Sequence, residues 1–388
     1  MIRVTTAVSV AIAAGFGCPQ AAQPPDVDPV TLAEARGFAV RFTKVVTPCD
    51  HSKLDPMFDL RAFAARYRHG KSTTATEAAA KELERKATLP SVLCAWQDGA
   101  ESYQLLRVRI VDGQPRPVFR RILKDARTGV GTVNYDELML GTSRGDHKVR
   151  VIDVYSFAAG QWVSELLRAT TDAVLAAAKV NEADGTALAD KMKRARALQQ
   201  SGQHTEALAL VDSFPASLRK TRAAQAMRVA LASAISEPAY QQALDEIAAT
   251  FPADPSVALL EIDGALLRKD YAAALRYVDQ VDAAIGGDAW QDGIRAEILL
   301  QRHAAGDLDA AQARADAAVA ADPTLSKGWW ARLDVALARR AWPSALAAMD
   351  ELHTRFQAPF QADALRDSPV YSDLVASPEY AAWQAARK

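Results

Sequence analysis

The first pattern in the sequence that could perform chemistry is a serine between two glycines. Gly141-Thr-Ser143-Arg-Gly145 matches the G-x-S-x-G motif of hydrolases. That motif activates its serine only where a strand enters and a helix leaves, because the turn then lifts the hydroxyl above the end of the sheet. Here β-rich segments stand on both sides, at residues 133–140 and 148–157. The sequence therefore predicts a hairpin turn, and no nucleophile at Ser143.

An acid on an apolar strand is the stronger candidate for catalysis. Alternate residues of the last strand share one face: Val149, Val151, Asp153, Tyr155 and Phe157. If this face and Tyr135 line a pocket, burial would raise the pKa of Asp153 and suit it to proton transfer, as in a lyase- or isomerase-like enzyme. Such a pocket could also bind a small molecule without chemistry. The alternative is an ion pair with Arg107 or Arg121, which would give Asp153 a structural role.

Metal and cofactor chemistry has no support in the sequence. The six histidines are scattered, with no HExxH pattern and no two of them on one helical turn. No glycine-rich loop of the Walker or dinucleotide-binding type is present. We therefore predict no metal, no cofactor and no enzymatic activity.

The charge balance argues against nucleic acid as a partner. The 388 residues include 46 Lys and Arg against 47 Asp and Glu, a formal net charge of −1. Such a chain has no overall positive field to hold a phosphate backbone. Its 49% hydrophobic content with 7% aromatic residues reflects a high alanine content, which favours helices.

The first residues have the pattern of a secretory signal. Residues 1–25 contain one cation, a short apolar run and a small, proline-rich end, and the apolar run is too short to span a bilayer. We expect the mature protein in the periplasm or cell envelope, without a membrane span. Cys18 is an alternative lipid-anchor site, although its flanking residues fit that signal poorly.

The two remaining cysteines, Cys49 and Cys94, are predicted to form a disulfide, since an oxidising compartment favours bridging. Two separate buried thiols are the alternative.

Residues 27–160 are predicted to form an α+β domain. Helical patterns over 30–98 precede four β-rich runs, at 103–111, 118–123, 133–140 and 148–157. Short turn signals between the runs predict an antiparallel meander of four strands with the helices packed on it. In its order of elements this region resembles the cystatin-like, nuclear-transport-factor-like fold. A connecting helix and linker follow at 161–186.

A turn followed by a helix start recurs through residues 187–357, each time with an alanine at the same place. The alanines are Ala207, Ala243, Ala274, Ala311 and Ala345, at intervals of 36, 31, 37 and 34 residues. Asp254-Pro255 and Asp322-Pro323 close two of the units, where proline stops one helix and starts the next. The pattern predicts antiparallel helix pairs that cross closely at the alanines.

These units resemble the tetratricopeptide repeat family, whose repeat is 34 residues long. The Trp/Leu-Gly signature of the family's first helix is mostly absent, and Trp329 gives only a trace of it. The resemblance implies an all-α helical-repeat solenoid over 187–357. Residues 358–388, with two Ser-Pro helix starts, are expected to cap it.

Together with the predicted signal peptide, the resemblance leads us to expect an exported, non-catalytic scaffold that binds an unidentified protein partner along the first helices of the hairpins. With the phase set by the alanines, the expected groove lining is Met192, Arg196, Gln225, Arg228, Asp263, Lys327, Trp330 and Asp334. This mixed lining lacks a row of cations for a terminal carboxylate. We therefore expect recognition of a folded surface or an extended segment, with Arg228 and Trp330 as the main contributors.

Overall fold

The computed structural model describes most of the chain after residue 26. The described ranges are 27–68, 73–97, 100–124, 131–143, 145–180, 182–252 and 254–386. The predicted signal peptide and the alternative lipid site at Cys18 lie outside these ranges. By its internal packing the chain divides into two compact units, Met1–Leu260 and Glu261–Lys388. None of the helices in the described ranges has both the length and the apolarity needed to cross a bilayer.

The first unit contains an antiparallel sheet of six strands. They are β1 (Val27–Asp28), β2 (Ala100–Val111), β3 (Gln114–Lys124), β4 (Gly131–Ser143), β5 (Val149–Ser156) and β6 (Gln161–Trp162). Strands β2 to β6 are neighbours in chain order, and β1 also pairs with β4. The four predicted strands are confirmed as β2 to β5. The predicted total of four is wrong, because β1 and β6 have two residues each and leave no periodic signal.

A glycine in β4 allows β1 to approach. A Cβ atom at Gly141 would stand 2.5 Å from Cδ1 of Ile152 and 2.7 Å from Cγ1 of Val27. Both distances are shorter than any normal carbon–carbon contact. The first glycine of the serine motif therefore has a packing role.

In the described part of the chain five α-helices precede β2. They are α1 (Leu32–Val46), α2 (His51–Leu54), α3 (Leu60–Arg68), α4 (Thr74–Arg85) and α5 (Thr88–Gln97). Of these, α1, α3 and α5 contact the sheet. Helix α1 begins with a capping box between Thr31 and Glu34. Its apolar face places the ring of Phe42 5.7 Å from that of Phe119, which stacks on Tyr103 at 4.9 Å. These aromatic contacts join the helix to the sheet.

A bulge in β5 changes which residues share a face. Met139 pairs with Asp153, but Leu140 pairs with Val151, so Ile152 is an extra residue in β5. The prediction that Val151 and Asp153 point to the same side is therefore wrong. The bulge turns Val151 towards the core under α1 and leaves Asp153 on the opposite face.

The predicted disulfide is confirmed. Cys49 follows the end of α1, Cys94 lies in α5, and their Cα atoms are 5.5 Å apart. The alternative of two separate thiols is wrong.

The bridge closes a loop with a sequence separation of 45 residues, which in the loop-entropy model contributes about 4 kcal/mol to stability. We expect the double variant Cys49→Ser, Cys94→Ser to unfold at a lower urea concentration than the oxidised protein. Reduced wild type serves as the control and should match the variant. Free thiols that alkylate in the oxidised protein without reductant would contradict the bridge.

Helices make up the rest of the first unit. They are α6 (Val163–Val180), α7 (Glu182–Gln200), α8 (His204–Asp212), α9 (Ala216–Arg219), α10 (Arg222–Ser233) and α11 (Glu237–Thr250). Helix α6 packs on β5 and β6. Gly160 has a φ of +62°, and a Cβ there would meet the backbone oxygen of Ser256 at 2.8 Å. Arg222 bonds to Ser256 and Asp254 beside it.

The second unit is entirely helical in its described part, and α12 (Ala258–Leu267) leads into it. The other helices are α13 (Tyr271–Ile285), α14 (Ala289–Arg302), α15 (Asp307–Ala321), α16 (Ser326–Ala338), α17 (Trp342–Phe356), α18 (Ala362–Asp367), α19 (Ser372–Val375) and α20 (Pro378–Ala385). Near the C-terminus, Leu374 and Tyr380 pack into one core cluster with Met349 and Leu352 of α17.

Four of the five repeated alanines occupy equivalent positions. Ala207, Ala274, Ala311 and Ala345 lie in the first turns of their helices, whereas Ala243 lies in the middle of α11, and all five are buried. Ala274 and Ala311 have no exposed surface at all. The space at these positions is therefore limited to a methyl group.

Replacing Ala274 or Ala311 with leucine should overpack the helices and lower the free energy of unfolding by about 1–3 kcal/mol. Ala310→Leu is the matched control, because Ala310 is an exposed neighbour in the same helix and leucine has nearly the helix propensity of alanine. Thermal unfolding of the three variants measures the difference. Equal melting temperatures for Ala311→Leu and Ala310→Leu would contradict a close helix crossing at Ala311.

Candidate functional site

Asp153 is buried and fully engaged in an ion-pair network. Its Oδ2 accepts hydrogen bonds from Nε of Arg66 at 2.9 Å and from the hydroxyl of Ser164 at 2.6 Å. Its Oδ1 accepts from the backbone amides of Val154 and Ser164. Burial raises the pKa of Asp153, and Arg66 acts against that rise. The expected partners were Arg107 or Arg121, and both are wrong, because the partner comes from α3.

Side chains fill the sheet face around Asp153. The ring of Trp162 lies between two guanidinium groups, 5.4 Å from that of Arg66 and 5.2 Å from that of Arg116. Arg116 also donates to the buried Glu137 at 2.9 Å. Tyr135 is likewise fully buried. The pocket considered for lyase, isomerase or ligand-binding function is therefore not formed at Asp153.

Ser143 lies at a strand-to-strand turn, as predicted. It ends β4, and its backbone amide donates to the carbonyl of Lys148 at 3.2 Å, just before β5 begins. The turn does not have the geometry that exposes a hydrolase serine.

An open cleft of about 1040 Å³ lies beside this turn, with α3 and α4 as its walls. Four arginines line it. Each one pairs with a carboxylate: Arg61 with Glu84, Arg68 with Glu77, Arg85 with Glu82 and Arg150 with Asp146. The cleft thus balances its own charges and offers little attraction for an ion.

The predicted groove residues of the first unit divide into two groups. Arg196 is exposed and Met192 is partly buried. Gln225 and Arg228 are buried, at 4% and 8% exposure. Arg228 donates to Asp212 at 2.6 Å and also pairs with Glu246. The expectation that Arg228 is an exposed binding residue is therefore wrong, because its guanidinium ties α10 to its neighbours.

This Arg228 contact belongs to a periodic set that the sequence reading missed. An aspartate five residues after the repeated alanine bonds to an arginine sixteen residues further on, in the next long helix. The pairs are Asp212–Arg228 at 2.6 Å, Asp279–Arg295 at 2.8 Å and Asp316–Arg332 at 2.8 Å. The fourth such aspartate, Asp350, accepts from the indole of Trp383 at 2.9 Å. The alanine-to-aspartate spacing was visible in the sequence and carries the signal.

In the second unit, two facing helices bring together the strongest candidate site. Trp290, Gly293 and Glu297 follow one another at helical spacing on α14, and Lys327, Trp330 and Asp334 do so on α16. We call these six residues the α14–α16 cluster. The three α16 residues were predicted to line the groove, and the three α14 residues that face them were not. Asp263, the remaining predicted residue, is exposed on α12.

Lys327 joins the two helices of the cluster. Its Nζ donates to Oε1 of Glu297 at 2.5 Å and lies 5.6 Å from the centre of the Trp290 ring. A Cβ at Gly293 would stand 2.7 Å from Cγ of Lys327, so glycine leaves room for the lysine stem. Lys327 is therefore held in a fixed position.

Trp330 and Asp334 form the partly exposed side of the cluster. The Trp330 ring packs 5.7 Å from that of Phe360. No Lys, Arg or His nitrogen of the described residues lies within 4.0 Å of the Asp334 carboxylate. Burial, and then the nearby charge of Glu297, raise the pKa of Asp334 to about 6, although Lys327 opposes this. Burial and the charge of Asp334 also raise the pKa of Tyr371.

Metal ligation has no support in the described ranges, where no three His, Cys, Asp or Glu side chains are grouped to hold an ion.

The raised pKa of Asp334 predicts a pH-dependent effect on stability. Between the ordinary aspartate pKa of 3.8 and about 6, the folded state binds more protons than the unfolded state, so stability falls as pH rises through this window. Asp334→Asn removes the ionised form. It should therefore raise the free energy of unfolding at pH 7.5 by about 1–3 kcal/mol, with no gain near pH 4.

Asp309→Asn is the matched control, because Asp309 is 85% exposed and pairs with Arg339. It should give no comparable gain. Urea unfolding at pH 4 and pH 7.5 tests both variants, and a loss of stability in Asp334→Asn at pH 7.5 would contradict the assignment.

In comparisons with known proteins, no family model, no curated protein and no solved structure matches the chain.

Proposed function

We propose that this protein is an exported, non-catalytic scaffold that holds another protein on a tetratricopeptide-like array of helix pairs. The α14–α16 cluster is the observation that carries the proposal. It combines a partly exposed tryptophan with fixed charges, and tryptophan is enriched among residues that dominate binding energy at interfaces.

The repeated contacts support a tetratricopeptide-like arrangement. Each predicted unit has a buried alanine in its second helix, and in three units an aspartate of that helix pairs with an arginine of a following helix. Equivalent contacts at equivalent positions are expected of stacked repeats, in which each unit packs mainly on its neighbours.

The disulfide supports export. A bridge between Cys49 and Cys94 is stable in an oxidising compartment and would be reduced in a typical cytosol. We therefore propose the periplasm or cell envelope as its location. For the first unit we propose a structural role, in a fold of the cystatin-like, nuclear-transport-factor-like type, because its sheet face is filled by side chains around Asp153 and Trp162.

The test is capture of partners from the native cell envelope with Trp330→Ala as bait. This variant should lose at least about 2 kcal/mol of binding free energy, or roughly thirtyfold in affinity. Trp329→Ala is the matched control. Its indole donates to the carbonyl of Pro323, and its ring packs under Arg332 and Arg355.

Circular dichroism and melting temperature must show that both variants are folded. A partner that binds wild type and Trp329→Ala, but not Trp330→Ala, supports the proposal. A partner retained in full by folded Trp330→Ala overturns it. Arg228 is unsuitable for this test, because its loss would break a contact between helices.

A further inference from the structure

The second unit carries an excess of negative charge. Residues 261–388 contain 19 acidic and 14 basic side chains, a net charge of −5, whereas residues 1–260 have a net charge of +4. A surface with one dominant sign attracts partners of the opposite sign and speeds their association. The net charge of the whole chain, −1, does not reveal this difference between the two parts.

The α14–α16 cluster has the same imbalance at short range. It holds two carboxylates, Glu297 and Asp334, and a single cation, Lys327. Lys327 already donates to Glu297 at 2.5 Å. The second carboxylate is therefore left without a contacting cation among the described residues, on a helix face that is partly shielded from water.

Aromatic side chains stand beside this carboxylate. Trp330 lies one turn before Asp334 on α16, with Phe360 packed against its ring. Tyr371 packs against the same core cluster as Trp330 and Phe360. Such rings accept the apolar stem of a long basic side chain and attract its charged head.

We infer that the α14–α16 cluster binds a basic side chain, lysine or arginine, carried by an extended segment of the partner protein, and that its cation pairs with Asp334 beside Trp330. This inference rests on the proposed function and adds the chemistry of the partner. An acidic residue fits less well, because Lys327 would first have to leave Glu297.

Short blocked peptides test the inference directly. The probe is acetyl-Gly-Leu-Arg-Leu-Gly-amide, compared with the same peptide carrying citrulline, which keeps the shape without the charge, or glutamate. Full-length protein labelled with 5-fluorotryptophan gives fluorine signals for its seven tryptophans, and Trp330→Phe identifies the signal of Trp330. Each peptide is titrated while the Trp330 signal is followed.

We expect the arginine peptide to shift the Trp330 signal, with an affinity at least about tenfold higher than that of the citrulline or glutamate peptide. Asp334→Asn should lower the affinity for the arginine peptide to the citrulline value, and Asp309→Asn should leave it unchanged. In wild type the affinity should fall as pH drops below about 6, because burial raises the pKa of Asp334 to about 6 and protonation removes the charge that would pair with the arginine. The other titratable groups that face Asp334 are Glu297, Lys327 and Tyr371.

Equal binding of the citrulline or glutamate peptide, or unchanged arginine binding in Asp334→Asn, overturns the cation preference. A shift at Trp330 would in that case still leave this face as a binding surface. Absence of any shift at Trp330 also overturns the inference. The scaffold function is judged separately, by whether Trp330→Ala loses the captured partner.

Discussion

Buried ion pairs constrain the first unit, and the pair between Arg66 of α3 and Asp153 of β5 ties a helix to the sheet. Placing two charges in the interior is expensive, and the cost is offset only where hydrogen bonds satisfy both groups. Here the amides of Val154 and Ser164 and the Ser164 hydroxyl complete the coordination of Asp153. Removing either charge alone would leave the other uncompensated, at a cost of about 3–5 kcal/mol. The pair thus fixes where α3 and α6 sit on the sheet.

The Asp–Arg pairs are weaker contacts that repeat, two of them in the second unit and one in the first. In each Asp–Arg pair the arginine is more deeply buried than the aspartate, whose carboxylate keeps much of its contact with water. Partial exposure limits the stabilisation from each pair, but the shared geometry selects one register between helices. The alanines act in the same way, since a close crossing admits only one alignment of the two helices.

Sequence reasoning located the features that are periodic or chemically unambiguous. The four long strands, the Cys49–Cys94 bridge and the five alanine positions follow from alternation, cysteine count and spacing. Reasoning failed where one residue decides the outcome. The extra residue in β5 at Ile152 reverses the side to which Val151 points, and composition gives no sign of it. Arg228 was expected at the surface because a sequence does not show whether an acid such as Asp212 lies within reach.

The candidate site was found only in part for the same reason. Lys327, Trp330 and Asp334 were predicted from helical spacing along α16. Which of their charged groups is paired, however, depends on a residue of α14. Glu297 of α14 forms an ion pair with Lys327. Asp334 is then the charged group of this face that has no contacting cation among the described residues. Spacing within one helix carries no information about the helix that packs against it.

The Asp–Arg pairs also bear on how such a chain can change length. Asp279 and Asp316 are 37 residues apart, as are their partners Arg295 and Arg332. Removing or duplicating 37 residues between these two pairs leaves an aspartate sixteen residues before an arginine, whereas a shorter cut inside either pair changes that spacing. The pairs therefore restrict the lengths by which this stretch can be shortened or extended without leaving a charge unpaired between two helices.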